Sequence, residues 1–162
     1  MLSIGLALIP TGMVSFILRE REENSKHMQL ISGMSLFGYW LANMISDILK
    51  AYVPTLLILA ITYMFDLNYE GVWALLLLFP LAIVPFSYVN TILFRSDSVA
   101  QIVTLFLHFL IGGLGALVVY ALQIIPNTAH IGNELRWWFT IVPSFCVTYG
   151  VVYSSTASAG LI

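Results

Sequence analysis

Runs with few or no charges at 1–18, 36–65, 72–94 and 99–122 dominate this sequence, and they leave little choice of fold. A bilayer core about 30 Å thick takes about 20 helical residues at 1.5 Å each, and only helices or closed barrels satisfy backbone groups there. Strict polar–apolar alternation is absent, so the runs read as helices. The expected fold is all-α: a polytopic transmembrane helix bundle of about four spanning helices plus a re-entrant or fifth hydrophobic segment.

Composition closes off the soluble alternative. Hydrophobic residues make up 60% and charged residues 9% of the 162 residues, where soluble domains carry roughly 25% charge. With a mean hydropathy of +0.95, a water-soluble fold of this size has no way to hide its apolar surface. The charges bunch at 19–26, 66–70 and 95–97, between the runs. The net charge of −2 and the lack of a long basic run exclude a nucleic-acid partner. The single cysteine, Cys146, excludes an internal disulfide and any C-x-x-C site, and reads as a small packed hydrophobe. No basic segment precedes the first run and charges follow it, so it reads as a span and not as a cleaved signal. It starts at the first residue with almost no flank, as expected for a piece of a longer protein.

The first run holds Pro10 as an expected kink and ends in Arg19, Glu20, Arg21, Glu22 and Glu23. Residues 19–35 place Met28, Leu30, Ile31 and Met34 at roughly helical spacing after the charges, which reads as a short amphipathic surface helix or a polar loop. As one helix the run 36–65 would be about 45 Å long, so part of it protrudes or tilts. Pro80 and Pro85 predict a bend in 72–94. Ser96 or Asp97 fits the N-cap of the fourth run. The stretch 137–153, with Pro143 and Gly150 inside it, fits either a span or a segment that dips in and returns.

Lysine and arginine fix the orientation. Arg19, Arg21, Lys26 and Arg95 lie in the first and third connections, none lies in 66–71, and only Arg136 follows the fourth run. The first and third connections are therefore expected in the cytoplasm, with Trp137 and Trp138 at the outer interface.

Polar residues inside the runs are the candidates for function. Asp47 and Lys50 would each cost about 2.5–3.5 kcal/mol unpaired at mid-bilayer. Their i, i+3 spacing lets them meet, and Asn43 and Pro54 extend the same face. This intramembrane stripe reads either as a gate that transmits motion or as a structural pair near the inner surface with Lys50 snorkelling. In the fourth run Gln101, Thr104, His108, Gly112 and Gly115 fall on one side, a surface for helix packing, for lining a pathway or for facing another subunit. No catalytic, metal or cofactor site is expected: His27, His108 and His130 sit in separate segments, and there is no H-E-x-x-H, no G-x-S-x-G and no G-x-x-x-x-G-K-[ST].

The stretch 16–54 is similar to the membrane domain of A-subfamily ABC transporters, the lipid exporters, an ABC-2 type permease. The matching residues are Glu20-Arg21, Lys26-His27, Gln29, Gly33, Tyr39-Trp40 and Asp47. Leu93-Phe94 with Asp97-Ser98 resembles the family's connection between helices four and five, and Pro143-Ser144-Phe145-Cys146 its segment before the last helix. The resemblance implies that the chain is a partial membrane domain: 1–18 as helix two, 19–35 as the cytoplasmic coupling helix, 36–65, 72–94 and 99–122 as helices three to five, and 123–153 as an external re-entrant region. It implies that Arg19, Glu20, Arg21, Lys26, His27 and Gln29 couple to a separate nucleotide-binding domain that holds ATP and magnesium. Membrane lipid and a second transmembrane half are the other implied partners, and ATP hydrolysis lies outside this chain. The first helix, the large extracellular domain, helix six and every nucleotide-binding motif of the family are missing. The other readings are an ABC-2 exporter of drugs or polysaccharides, an intramembrane acyltransferase with His108 as base, and a non-transporting scaffold. The plasma membrane and an organelle membrane fit the sequence equally.

Overall fold

A computed structural model describes residues 2–23, 28–29, 31–65 and 71–158. Its helices are α1 (Leu2–Glu22), α2 (Leu36–Met64), α3 (Val72–Leu93), α4 (Asp97–Leu107), a π-helical segment (His108–Gly115), α5 (Ala116–Ile124), α6 (Ala129–Phe139) and α7 (Pro143–Ser158). The described residues contain no strand. Four helices are long and apolar enough to cross a membrane, with α4, the π segment and α5 forming one rod from Asp97 to Ile124.

Two boundaries differ from the sequence reading for physical reasons. The first helix does not stop at residue 18: Arg19, Glu20, Arg21 and Glu22 continue it. Arginine and glutamate are good helix formers, and Arg19 and Arg21 in the last turn complement the helix dipole. The fourth run begins two residues earlier, at Asp97, and ends at Ile124. Pro10, Pro54, Pro80 and Pro85 all lie within helices that continue on both sides. In the segment 19–35, Lys26 and His27 lie outside the described residues. Its described part closes with Ser32 bonded to the Met28 carbonyl, Gly33 at φ 97° and Ser35 capping α2 through the Gly38 N–H.

Contacts fix the arrangement. α1 runs antiparallel to α4 and the π segment, since Ser3 lies beside Gly113, Ser15 beside Gln101 and Arg19 beside Asp97. α2 and α3 are antiparallel through Tyr52 to the Leu77 carbonyl and Tyr88 to Asp47. The core where α1 packs on α2 and α3 gathers Leu6, Met13, Ala51, Leu76, Phe79, Ile83 and Val84. Outward, α2 presents Leu41, Ile45, Leu49, Val53, Leu56 and Ile61, all exposed, a face suited to lipid and not to water.

α6 and α7 form a hairpin. α6 starts beside the end of α5, where Gly132 packs on Leu122 and Gln123, and runs back until Phe139 reaches Gly115. After a break at 140–142, α7 returns: Pro143 and Cys146 lie near Ala82 and Phe79, Gly150 lies on Leu75, and Tyr149 donates to Gln123. The hairpin thus enters the bundle to about mid-helix of α3 and leaves on the side it came from. The continuous apolar stretch of the sequence is two helix ends and a tip, not one rod.

Candidate functional site

The charged end of α1 is where four helices meet, and its charged side chains reach the other three: Glu20 holds α2, Arg21 holds α3, and Arg19 and Glu22 both hold Asp97 of α4. Glu20 accepts a 2.5 Å hydrogen bond from the hydroxyl of Tyr39, a buried residue in the first turn of α2. Arg21 donates through Nη1 to the carbonyls of Thr91 (3.2 Å) and Phe94 (3.4 Å), at the end of α3. Those carbonyls lie at a helix C-terminus, where acceptors lack intrahelical partners and a cation is favoured. Glu22 accepts from the Asp97 N–H at 2.9 Å, so a carboxylate from α1 does for α4 what the Ser96 side chain at the N-cap position does not. Arg19 lies 3.9 Å from Asp97, which also accepts from Gln101 at 3.2 Å, and Gln101 donates to Ser15 at 2.6 Å.

The alternation Arg-Glu-Arg-Glu therefore has a steric logic. Successive helical residues point about 100° apart, so Glu20 and Arg21 turn to α2 and α3 while Arg19 and Glu22, three residues apart on one face, share Asp97 of α4. Of the residues to which the family resemblance gave a coupling role, Arg19, Glu20 and Arg21 hold helix ends together, Gln29 is half-buried, and Lys26 and His27 fall outside the described residues.

One to two turns deeper lies the Asp47–Lys50 pair. The carboxylate is 2% exposed; Oδ1 takes Lys50 Nζ at 3.2 Å and Oδ2 takes the Tyr88 hydroxyl at 2.8 Å. Lys50 is 62% exposed and its ammonium lies 5.1 Å from the centre of the Phe16 ring. Trp40 stands edge-on to Tyr39 (centroids 5.3 Å apart) and tilted against Tyr88 (5.6 Å), which joins the Glu20–Tyr39 contact to the Asp47–Tyr88 contact. Asp47, Lys50 and Pro54 line one side of a groove of about 310 Å³ between α1 and α2, with Gly12, Met13 and Phe16 opposite. Asn43 is half-buried on the same helix.

The fourth-run stripe turns inward over most of its length. Thr104, His108 and Gly112 are buried, and Gln101 and Gly115 are half-buried. His108 Nδ1 lies 2.8 Å from Ser144 Oγ, with Phe86 edge-on to the ring. A Cβ on Gly112 would stand 2.7 Å from Ser144 Cβ, and one on Gly113 would stand 3.0 Å from Ser3 Cβ. The π segment widens the turn here, so two adjacent glycines face two different helices, α7 and α1. His108 and Ser144 are 0% and 1% exposed, and Nε2 of the ring has no partner among the described residues. A serine nucleophile needs access and a base oriented by a third group; this sealed pair fits a packing contact, not an acyl-transfer site.

Sequence reasoning missed Tyr88, Thr91 and Ser15. Their signal, a hydroxyl or carbonyl at one helix end, becomes specific only once the neighbouring helix is known. Glu22 was visible as a charge but its partner, a backbone N–H 75 residues away, was not.

Comparison with known proteins gives a consistent result. A family model described as "ABC-2 family transporter protein" matches residues 1–158. The chain is 26% identical over 159 residues to "ATP-binding cassette sub-family A member 2" of Homo sapiens, covering 92% of this chain and 6% of that protein. It is 28% identical over 157 residues to "Retinal-specific phospholipid-transporting ATPase ABCA4" of Bos taurus, covering 91% and 7%. With "ATP-binding cassette sub-family A member 13" of Homo sapiens it shares 30% identity over 162 residues, covering 92% and 3%. The chain thus spans less than a tenth of the length of these relatives.

Proposed function

From the premise that the chain belongs to the ABC-2 family of transporter proteins and is a multi-pass integral membrane protein, we propose that it is part of the membrane domain of an ATP-driven transporter of phospholipid-like amphiphiles. Relatives whose names describe them as phospholipid-transporting support the substrate class. The sequence holds no nucleotide-phosphate loop, so ATP and magnesium would be bound by a separate nucleotide-binding domain. A second transmembrane half would complete the pathway. Residues 19–35 would be the cytoplasmic coupling segment, and 123–153 an external re-entrant region.

One observation carries this reading: the segment 19–22 is bonded to the start of α2, the end of α3 and the start of α4. A push on the residues that follow α1 would reach three other helices through short, charge-assisted contacts. Rigid elements joined in this way move as a body and not one by one. The Asp47–Lys50–Tyr88 cluster then ties α2 to α3 one level deeper, a structural tie in this mechanism and not a proton relay.

The test uses a complete transporter that contains this sequence. Charge reversal at Arg19, Arg21 and Lys26 should leave ATP hydrolysis in place while lipid movement falls, because work at the nucleotide-binding domain no longer reaches the helices. Measured together in vesicles, an unchanged ratio of lipid moved to ATP hydrolysed would refute the assignment.

A further inference from the structure

Near the Arg21 end of the bundle a groove of about 410 Å³ opens between α2 and α3. Its walls include Phe37, Trp40, Leu41, Val89 and Ile92, and among the described residues Arg21 is the only charged one that lines it. Phe37, Val89 and Ile92 are 63–76% exposed. The groove is therefore an apolar trough, open sideways, with one cation beside it.

Arg21 is not consumed by the protein. A guanidinium has five N–H donors in a fixed fork. In Arg21 the bonds to the Thr91 and Phe94 carbonyls both leave from Nη1. Among the described residues Nη2 and Nε have no acceptor, and no carboxylate lies within ion-pair distance of Arg21. The adjacent carboxylates point elsewhere, Glu20 to Tyr39 and Glu22 to the Asp97 N–H. The side chain is exposed, and the two carbonyls hold it in one orientation, so little freedom remains to be lost on binding.

We propose that this groove is a phospholipid site: the phosphate diester takes the free donors of Arg21 and one acyl chain lies along Leu41 and Val89. The charge is complementary, since a planar fork pairs with phosphate oxygens in bidentate fashion. The apolar walls match the other half of the same molecule. A free anion would leave the walls exposed, and a neutral lipid would leave the fork unpaired. The site lies on the open side of α2 and α3, and among the described residues Arg21 is the only one from α1 that reaches it. Its occupant is thus a lipid of the adjacent leaflet that steadies the junction of the three helices. It needs only the bilayer setting and does not depend on transport or on ATP.

The full chain, purified in detergent, is titrated with dioleoyl phosphatidylglycerol and, separately, with dioleoylglycerol, and bound lipid is counted by native mass spectrometry. One phosphatidylglycerol should bind in preference to dioleoylglycerol. Arg21→Gln and Leu41→Trp should each weaken it by about tenfold or more, the loss expected for a charged contact or a blocked trough. Leu41→Trp keeps Arg21 and its carbonyl bonds, so it decides the matter if Arg21→Gln fails to fold. Equal binding of dioleoylglycerol overturns the proposal, as does unchanged binding in Leu41→Trp, or displacement of the lipid by millimolar inorganic phosphate. A failed coupling experiment in the complete transporter leaves this result untouched.

Discussion

Replacing Tyr88 by Phe should cost more stability than removing the cation of the Asp47–Lys50 pair. Tyr88→Phe keeps the ring against Trp40 and deletes only the hydroxyl that donates to Asp47 Oδ2 at 2.8 Å. That oxygen belongs to a residue only 2% exposed, so water cannot replace the lost donor. Hydrogen bonds between membrane helices average about 0.6 kcal/mol and reach about 1.7; a charged acceptor places this one near the top, at about 1.5 kcal/mol. Lys50, by contrast, is 62% exposed on a long stem that lets its ammonium turn toward the headgroup region, and a pair with one partner so placed contributes under about 1 kcal/mol. Lys50→Met should therefore cost less, and part of that loss is recovered because its stem already lies on Phe16. Asp47→Asn keeps an acceptor for Tyr88 but removes its charge, so in that background Tyr88→Phe should cost about half as much. The assay is reversible unfolding in mixed micelles, followed by the fluorescence of Trp40, with the four variants of the Asp47–Tyr88 cycle measured together. A larger loss for Lys50→Met than for Tyr88→Phe, or a coupling energy indistinguishable from zero, would refute the view that the hydroxyl and not the ammonium secures this carboxylate.

Two further outcomes test the packing and the orientation. Gly112→Ala should destabilise by about 1–2 kcal/mol, because an overpacked contact with Ser144 outweighs the gain in helix propensity; Gly12→Ala, where nothing lies within 4 Å of the added carbon, should stabilise by about 0.5–1 kcal/mol. The reverse order in micelle unfolding would argue against the hairpin contact. In a Cys146→Ser background, a cysteine at position 23 should react with a membrane-impermeant maleimide only after the cells are opened, whereas one at 137 should react in intact cells. Labelling of position 23 from outside would invert the topology.

What could be read from the sequence was what depends on near neighbours in the chain. The spans follow from length and hydropathy, and Asp47 with Lys50 follows from an i, i+3 spacing that any helix imposes. Tyr88, 41 residues from Asp47, carries no such signal. Nor does the extension of α1 through Glu22: a charged run after a span reads as the start of a separate surface helix or as a loop until other helix ends are present to take each charge. The stripe from Gln101 to Gly115 was found by 3.6-residue arithmetic, which holds as far as Gly112 and then drifts, because the π segment turns more slowly. Gly113, off the predicted face, is as buried as Gly112 for that reason. For 137–153 hydropathy alone had no answer, since a helix tip inside a bundle is as apolar as a span; the break at 140–142 is settled by Phe139 meeting Gly115 and Phe145 meeting Phe139.

The Arg21 end and the middle of the bundle are held by different forces, and this difference bears on which part can move. Around Ser3, Gly112, Gly113 and Ser144 small residues let helices approach closely, and such contacts are lost over a fraction of an ångström. At the Arg21 end the helices are joined by charged side chains, Arg21 to α3, Glu22 to α4 and Glu20 to Tyr39, which carry a displacement of α1 to each helix end. Close packing suits a fulcrum, and charged links that hold the helix ends together suit the arms. A force applied beyond Glu22 would thus be expected to swing the α2, α3 and α4 ends about the glycine-packed centre.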